Sequence, residues 1–487
     1  MLLDGLSYRR AGRAVGISKT EVGDSLDVLL GPLGALGFCQ PDGSFITTLD
    51  DLRQWLGEMA RSGEAVVVDG GLFHPESACR AARGRIGSVW AGTGVPRNPG
   101  HPRGPRHTVR LLRREGPCEG LCTSRWRPPV CSRSRGKAAG ASAATRLVSP
   151  SGTDAGDCVA SPCATIGYAV SQATAGDRIS VATGVYTESV LIQKRLALVG
   201  HDATIDAAGH DNGIVISGSA AGETSVRGFT IANAGLEGIF AVQTTDLSIV
   251  GNTLMHNDAY GPFDPRCVNQ PDDCGEALHL QSVTGSMVSD NLVRSNVGGI
   301  LLTDENGPTS GNTITGNRVL DNTLDCGITL ASHWFQPGGP AAAGVGGVYD
   351  NQVLGNVSNG NGAAGIGVFA GPPGAAAYGN VVSGNTAMNN GLPGVAIHGH
   401  SPFQYISDNV INNNTLAGNG PDEEDVPGDD KPTGIAIFSG VVPIAHTTVA
   451  NNRISDEYYG IFAYNALTIS GLPSNKFSSV TIPITTS

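Results

Sequence analysis

Four of the 11 histidines in this 487-residue chain, His279, His333, His398 and His400, sit in short phrases of one pattern or directly after one. Two adjacent carboxylates, Asp304 and Glu305, occupy the corresponding place in another copy. An imidazole beside a carboxylate is suited to moving protons near neutral pH, and a cluster of both can hold a metal ion. The same outward columns carry Gln281, Thr303, Phe369, Phe438 and Tyr464, with Trp334 next to His333. Aromatic faces and hydrogen-bonding side chains in a row suit a ligand with flat apolar rings and many hydroxyls. The catalytic set read from these columns is Asp304, Glu305, His333 and His400. The binding set is His279, Gln281, Thr303, Trp334, Phe369, His398, Phe438 and Tyr464.

What must position them is a phrase that occurs nine times. It begins with Gly or Ala, continues with a branched apolar residue and then alternates: GIVISGS at Gly213, GIFAVQT at Gly238, ALHLQSV at Ala277, GILLTDE at Gly299, GITLASH at Gly327, GIGVFAG at Gly365, GVAIHGH at Gly394, GIAIFSG at Gly434 and GIFAYNA at Gly460. Alternation is the signature of a strand with one buried face. Successive phrases lie 25, 39, 22, 28, 38, 29, 40 and 26 residues apart, so a bare unit takes 22–29 residues and the long steps carry insertions. Such a repeat means one supersecondary unit stacked on copies of itself. The phrases have no helical period, so each unit reads as one coil of a parallel β-helix. Neighbouring coils about 4.8 Å apart would bring Glu305 and His333 close to contact, with His400 roughly 10 Å further on. Asn252, Asn291, Asn312, Asn380, Asn409 and Asn451 stand in the turns and are expected to stack along the axis rather than to bind ligand. The insertions, around residues 256–276, 333–347 and 420–433, all flank one strand column and would wall a groove over it.

Composition separates the chain into pieces. Residues 1–146 hold 21 Lys+Arg against 13 Asp+Glu, whereas residues 147–487 hold 10 against 30. The acidic part is therefore a poor partner for nucleic acid, whose phosphates need cations. No apolar run approaches the ~20 residues of a membrane-spanning helix. The expected divisions are 1–71, ordered; 72–146, rich in Arg and Pro and without apolar periodicity; 147–475, the coils; and 476–487, a tail. Cys158 with Cys163 and Cys267 with Cys274 bracket short loops and read as local disulfides of an oxidising compartment. Cys118, Cys122 and Cys131 lack a fourth ligand at a spacing that suits zinc.

The segment YRRAGRAVGISKTEVGDSL has helix-turn-helix spacing. With FITTLDDLRQWLGEMARSGEAVVVDG it resembles the N-terminal part of insertion-sequence transposases of the DDE type, in which Asp69 would be the first catalytic carboxylate. No matching partner carboxylates follow Gly71, and two-metal chemistry needs them. The fragment thus reads as a non-functional remnant. Ala141-Ser142-Ala143 resembles a signal-peptidase site without its apolar region, as though the start of a secreted protein had been replaced by the upstream fragment.

The opening from Ser161 to Gly200, with a short helix expected from Ile166 to about Ala175, resembles the entry of right-handed parallel β-helix proteins of the pectate lyase-like superfamily. The likeness runs from about Ala164 to Ala466. It implies an all-β solenoid, a cleft over the phrase column and a secreted, monomeric protein that binds or modifies polysaccharide. Lyase, hydrolase and epimerase chemistry stay open, as does a non-catalytic binding or structural role. A polyuronate lyase needs a base and a cation, and the columns contain no Lys or Arg. A glycoside hydrolase needs two separated carboxylates, so Asp325 or Asp273 would have to join Asp304 or Glu305. A metal site from His279, His333, His398 and Glu305 is a further alternative. Ca²⁺ at the acidic run Asp422, Glu423, Glu424, Asp425, Asp429 and Asp430 is another, although a solvated loop explains that run more simply.

Overall fold

The computed structural model describes residues 38–39, 45–46, 143–258, 275–335, 345–423, 425–466 and 468–486. The helix-turn-helix and Asp69, almost all of the Arg/Pro-rich segment, and Cys267 and Cys274 lie outside these residues. Within the N-terminal part, Phe38–Cys39 pairs antiparallel with Phe45–Ile46.

From Thr145 onward the chain winds as a right-handed parallel β-helix. Each complete coil contributes three short strands that pair in register with their counterparts above and below. One coil runs Gly298–Thr303, Thr313–Thr315 and Arg318–Leu320; the next runs Ile328–Ser332, Gln352–Leu354 and Val357–Asn359. Their registers are Ile300 on Ile328, Ile314 on Val353 and Val319 on Ser358. The recurring phrases therefore form one continuous sheet, here called the first sheet. A smaller four-stranded ladder, including Thr309–Ser310 and Val348–Tyr349, lies between the first and second sheets.

The alternation of the phrases has its expected cause. Ile300, Leu302, Ile328, Leu330, Ile366, Val368, Ile435 and Ile437 are all at most 1% exposed and fill the interior of the coil. Each such side chain contributes about 1.5–3 kcal/mol through its transfer from water. A helix covers the open N-terminal end. It spans Ile166–Gln172, shorter than expected because Ala173 is already extended, and it buries Ile166, Ala169 and Val170. The Glu188 carboxylate accepts hydrogen bonds from its first amides, Ile166 N at 2.8 Å and Gly167 N at 2.7 Å. Cys158 and Cys163 form a disulfide beside it. At the other end Lys476–Thr486, set apart above as a tail, forms a strand on Arg453–Tyr464 and completes a further coil.

Each of the three corners carries a column of stacked amides. Between the second and third strands it runs Asn252, Asn291, Asn317, Asn356, Asn385, Asn414, Asn452, Asn475. Between the third and first it runs Asn257, Asn296, Asn322, Asn361, Asn390, Asn419 and ends on Glu457. Between the first and second it runs Asn312, Asn351, Asn380, Asn409. In each Asn rung after the first of its column, Oδ1 accepts from both the backbone N–H and the Nδ2 of the Asn below, while most Nδ2 groups also donate to a backbone carbonyl. The residue before the rung turns the corner with a positive φ: +64° at Gly316 before Asn317, +55° at Asp290 before Asn291 and +56° at Asn413 before Asn414. Gly, Asp and Asn tolerate that conformation best. The GN, DN and NN pairs of the sequence are thus two-residue corner codes. Asn451, expected in a ladder, is instead the turning residue at φ +57°, and Asn452 is the rung.

Two measurements follow from the ladders. Asn356→Ala leaves the buried Nδ2 of Asn317 and the carbonyl of Ile314 without their partners, so a loss of about 3 kcal/mol is expected in urea unfolding. Glu457 ends its ladder with Oε1 bonded to Asn419 and Oε2 buried without a hydrogen-bond partner among the described residues. Burial, partly offset by the bonds from Asn419, raises its carboxyl from 4.5 to about 7. Its folded form therefore holds a proton that the unfolded chain has released. The associated stability is complete below about pH 4.5 and is lost as pH rises through 7. Glu457→Gln should flatten this fall and raise the melting temperature at pH 8 above that of the parent, as read by calorimetry at both pH values.

Candidate functional site

The first sheet differs from the other two. Strands of the second and third sheets alternate between buried and part-exposed residues, as in Thr313–Thr315 and Arg453–Ser455. In the first sheet Gly298–Thr303, Ile328–Ser332 and Val395–Gly399 are buried at every position. The expected groove is therefore partly filled by its own outward side chains. Phe369 lies against His398 with ring centroids 4.2 Å apart, and Phe438 stacks on Tyr464 at 5.6 Å. The third insertion folds over this part of the face, where Val426 forms an apolar cluster with Phe438 and Phe462. Tyr464, at 44% exposure, remains open to solvent.

Glu305 and His333 stand where consecutive coils place the ends of equivalent strands. His333 Nδ1 is 2.8 Å from Glu305 Oε1, and both side chains keep partial access to solvent. Behind them the contacts continue. Thr303 Oγ1 donates to Glu305 Oε2 at 2.6 Å, and His279 Nε2 lies 2.8 Å from Thr303 Oγ1. Burial alone would raise the Glu305 carboxyl, but the bond from His333, the charges of His333 and His279 when these rings are protonated, and the bond from Thr303 bring it down to about 2. Glu305 is therefore an anion across the physiological range. It holds the Nδ1 proton of His333, so that Nε2 is the basic nitrogen of the neutral ring.

Asp304, one residue earlier, lies in a different environment. It is wholly buried, and its carboxylate accepts from Ser332 Oγ at 3.0 Å, His333 N at 2.7 Å, Trp334 N at 3.1 Å and Gly347 N. Burial raises its carboxyl although these donors pull the other way. Asp304, expected among the catalytic residues, thus ties down the chain leaving Ile328–Ser332 on either side of His333. The odd, inward phase of position 304 already contained this outcome, because alternation sends Asp304 in where Thr303 goes out.

The other residues of these columns divide by depth. His279 is 3% exposed and Thr303 fully buried, so both act from beneath the surface rather than on a ligand directly. Gln281, Trp334, Phe369 and His400 are half-buried. His398 is buried, with Nδ1 2.8 Å from His400 Nε2 and Nε2 3.7 Å from Asp422 Oδ2. The acidic insertion is not simply solvated, since Asp422 is 1% exposed and Asp429 fully buried. Burial raises the Asp429 carboxyl to about 7, assisted by Asp430 and Glu457 and opposed by its bond from Thr433.

Among the described residues, two groups of side chains bring potential metal ligands within 4.8 Å of one another: His398 with Asp422 and Asp425, and His279 with Glu237 and Glu276. The sequence reading included neither Glu237 nor Glu276. Their signal was available: each immediately precedes the small residue of its phrase, on consecutive coils. The proposed joint site of His279, His333, His398 and Glu305 does not form, for His279 and His398 belong to separate groups.

Residues 200–415 match a sequence family described as a right handed beta helix region. No curated protein matches the chain significantly. Among solved structures, similarity extends to the pectate lyase Pel9A (16% identity, TM-score 0.40, 64% of this chain and 79% of that one). It also extends to the A-module of the mannuronan C-5 epimerase AlgE6 of Azotobacter vinelandii (12% identity, TM-score 0.37, 64% and 91%). A third is PfbA, a surface adhesin of Streptococcus pneumoniae (14% identity, TM-score 0.43, 69% and 91%).

Asp304→Asn keeps the shape of the side chain but turns an NH₂ toward backbone N–H donors. A loss of about 2 kcal/mol in denaturant unfolding is expected, together with earlier proteolytic cleavage near Trp334.

Proposed function

We propose that this protein binds an extracellular polysaccharide along the open edge of the first sheet and transfers a proton on it with His333. The observation that carries the reading is the 2.8 Å contact between His333 Nδ1 and the Glu305 carboxylate, buttressed by Thr303 and His279. A carboxylate held as an anion fixes the tautomer of the ring and stabilises the imidazolium formed when Nε2 accepts a proton. One imidazole backed by one carboxylate suits removal of a proton from a carbon next to a carboxyl group, as in elimination from or epimerisation of a uronic acid residue; with no Lys or Arg in the columns, a bound divalent cation would have to neutralise the substrate carboxylate. In an elimination, that proton passes to His333, the C–H electron pair forms a C=C bond, and the glycosidic oxygen leaves with the electrons of its bond and takes a proton from water.

Hydrolysis is supported less. It needs one carboxyl as acid and a second as base or nucleophile at a defined separation. Asp304 is committed to four donors, and Glu305 is ionised and bonded to His333. A second reading is glycan binding without turnover, favoured by the exposed ring of Tyr464 and the half-buried ring of Phe369 on the same sheet. An extracytoplasmic location fits the Cys158–Cys163 disulfide. No helix among the described residues is long and apolar enough to cross a membrane.

The test is a panel of uronic-acid and neutral polysaccharides scored for binding, for unsaturated ends by ultraviolet absorbance and for new reducing ends. His333→Ala and Glu305→Gln should each lower turnover by about 10²–10⁴-fold while glycan binding persists. Binding with no turnover in the parent would leave the second reading. Turnover unchanged in both variants would move the chemistry elsewhere.

A further inference from the structure

We propose that Glu237, Glu276 and His279 form a site for one divalent transition-metal ion, of the zinc or manganese type. The proposal does not depend on the glycan chemistry above. Glu237 and Glu276 hold equivalent positions on consecutive coils, each directly before the small residue of its phrase, and His279 is the first outward residue of the second coil. All three are buried, at 8%, 2% and 3% exposure, and one ligand atom from each falls within 4.8 Å of the others. On the next coil the equivalent position is Gly298, where a Cβ would come within 2.9 Å of Glu276 Oε1. That glycine leaves the space the carboxylate occupies.

The imidazole supplies the independent sign of a ligand. Thr303 Oγ1 gives its one proton to Glu305, so it must receive the Nε2–H of His279. In the neutral ring this leaves a lone pair on Nδ1. Among the described residues Nδ1 is buried without a hydrogen-bond partner, and it faces Glu237 Oε1 at 3.7 Å. Two electron-rich atoms directed at each other need a cation between them. A shared proton would draw them together, as it does for His333 and Glu305 at 2.8 Å on the same sheet. The wider separation fits an ion about 2.0–2.2 Å from each, which in tetrahedral geometry sets N and O about 3.3 Å apart. Within the triad, two carboxylates and a neutral imidazole balance the charge of a divalent ion, and one nitrogen with two oxygens favours a transition metal over Ca²⁺. Ligation at Nδ1 would also lock His279 as the Nε2–H donor that starts the Thr303–Glu305–His333 chain.

The full-length protein, stripped with chelator and dialysed against Zn²⁺, is assayed for bound metal by plasma mass spectrometry. In parallel, Co²⁺ titration reads coordination from visible absorption. The expected result is a Co²⁺ spectrum saturating at a defined stoichiometry, and one ion per chain fewer in Glu237→Gln/Glu276→Gln than in the parent. Glu305→Gln, which leaves the triad intact, should keep the parent's metal content. Loss of turnover in Glu305→Gln with metal retained separates this site from the proposed proton transfer. Absence of bound metal in the parent, or equal metal content in parent and double variant, would overturn the proposal. Should the double variant fail to fold by circular dichroism, the parent decides: Zn²⁺ must restore any melting temperature lost on chelation, and no shift counts against the site.

Discussion

The stacked asparagines at the three corners are the constraint on which everything else in this protein depends. A coil that reverses direction three times in one circuit leaves backbone N–H and C=O groups at each corner that no strand can pair. Water cannot reach them, because the corners are closed by the coils above and below. A buried, unpaired amide costs about as much as a lost hydrogen bond, and it would recur at each corner of the stack. The side-chain amide of Asn resolves this because it both accepts and donates: Oδ1 accepts from the backbone N–H and Nδ2 of the preceding rung, and Nδ2 donates to a backbone carbonyl and to the following rung. The cost is a residue of positive φ before nearly every rung, and this accounts for much of the Gly, Asp and Asn in the composition.

A rigid corner makes a rigid sheet. Because each rung fixes the rise and register of the next, side chains at equivalent phrase positions are forced into rows, and chemistry can be assembled from residues far apart in sequence. Glu305 meets His333 and Glu237 meets His279 for this reason. Neither pair is held together by a loop. Local environment then separates neighbours that are alike in type. Asp304 faces inward to backbone amides and becomes a brace, while Glu305 faces out to an imidazole and stays ionised. Two adjacent carboxylates acquire different duties from a single step of strand alternation.

The ladders also end in an instructive way. Where the column of Asn257 to Asn419 reaches the last coils, Glu457 takes the next place and supplies only acceptors. It satisfies Asn419 through Oε1 but has no amide NH₂ to pass on, so its second oxygen is left in a buried position and its proton is retained to higher pH. A terminal rung differs from an internal one in the same way that capping coils of solenoids differ from their repeats.

The inward Ile, Leu and Val of the phrases, the spacing of the coils and the insertions that interrupt them were legible in the amino-acid order alone, because strand period and coil length are properties of consecutive residues. The proximity of Glu305 and His333 followed from the same arithmetic. The depth of each residue did not. His279 and Thr303 occupy outward positions and are nevertheless buried, since outwardness is decided by the coil and burial by whatever packs over it. The acidic insertion is similar: its charges suggest solvent, but Asp422 is placed against His398 and Asp429 beneath Thr433. Which of two consecutive residues turns and which stacks, Asn451 or Asn452, depends on backbone torsion and escapes composition. Sequence by itself determined the solenoid and the rows. Only tertiary structure decided which row members share a proton, which brace a loop and which converge as possible metal ligands, because those outcomes depend on distances across coils and on access to water.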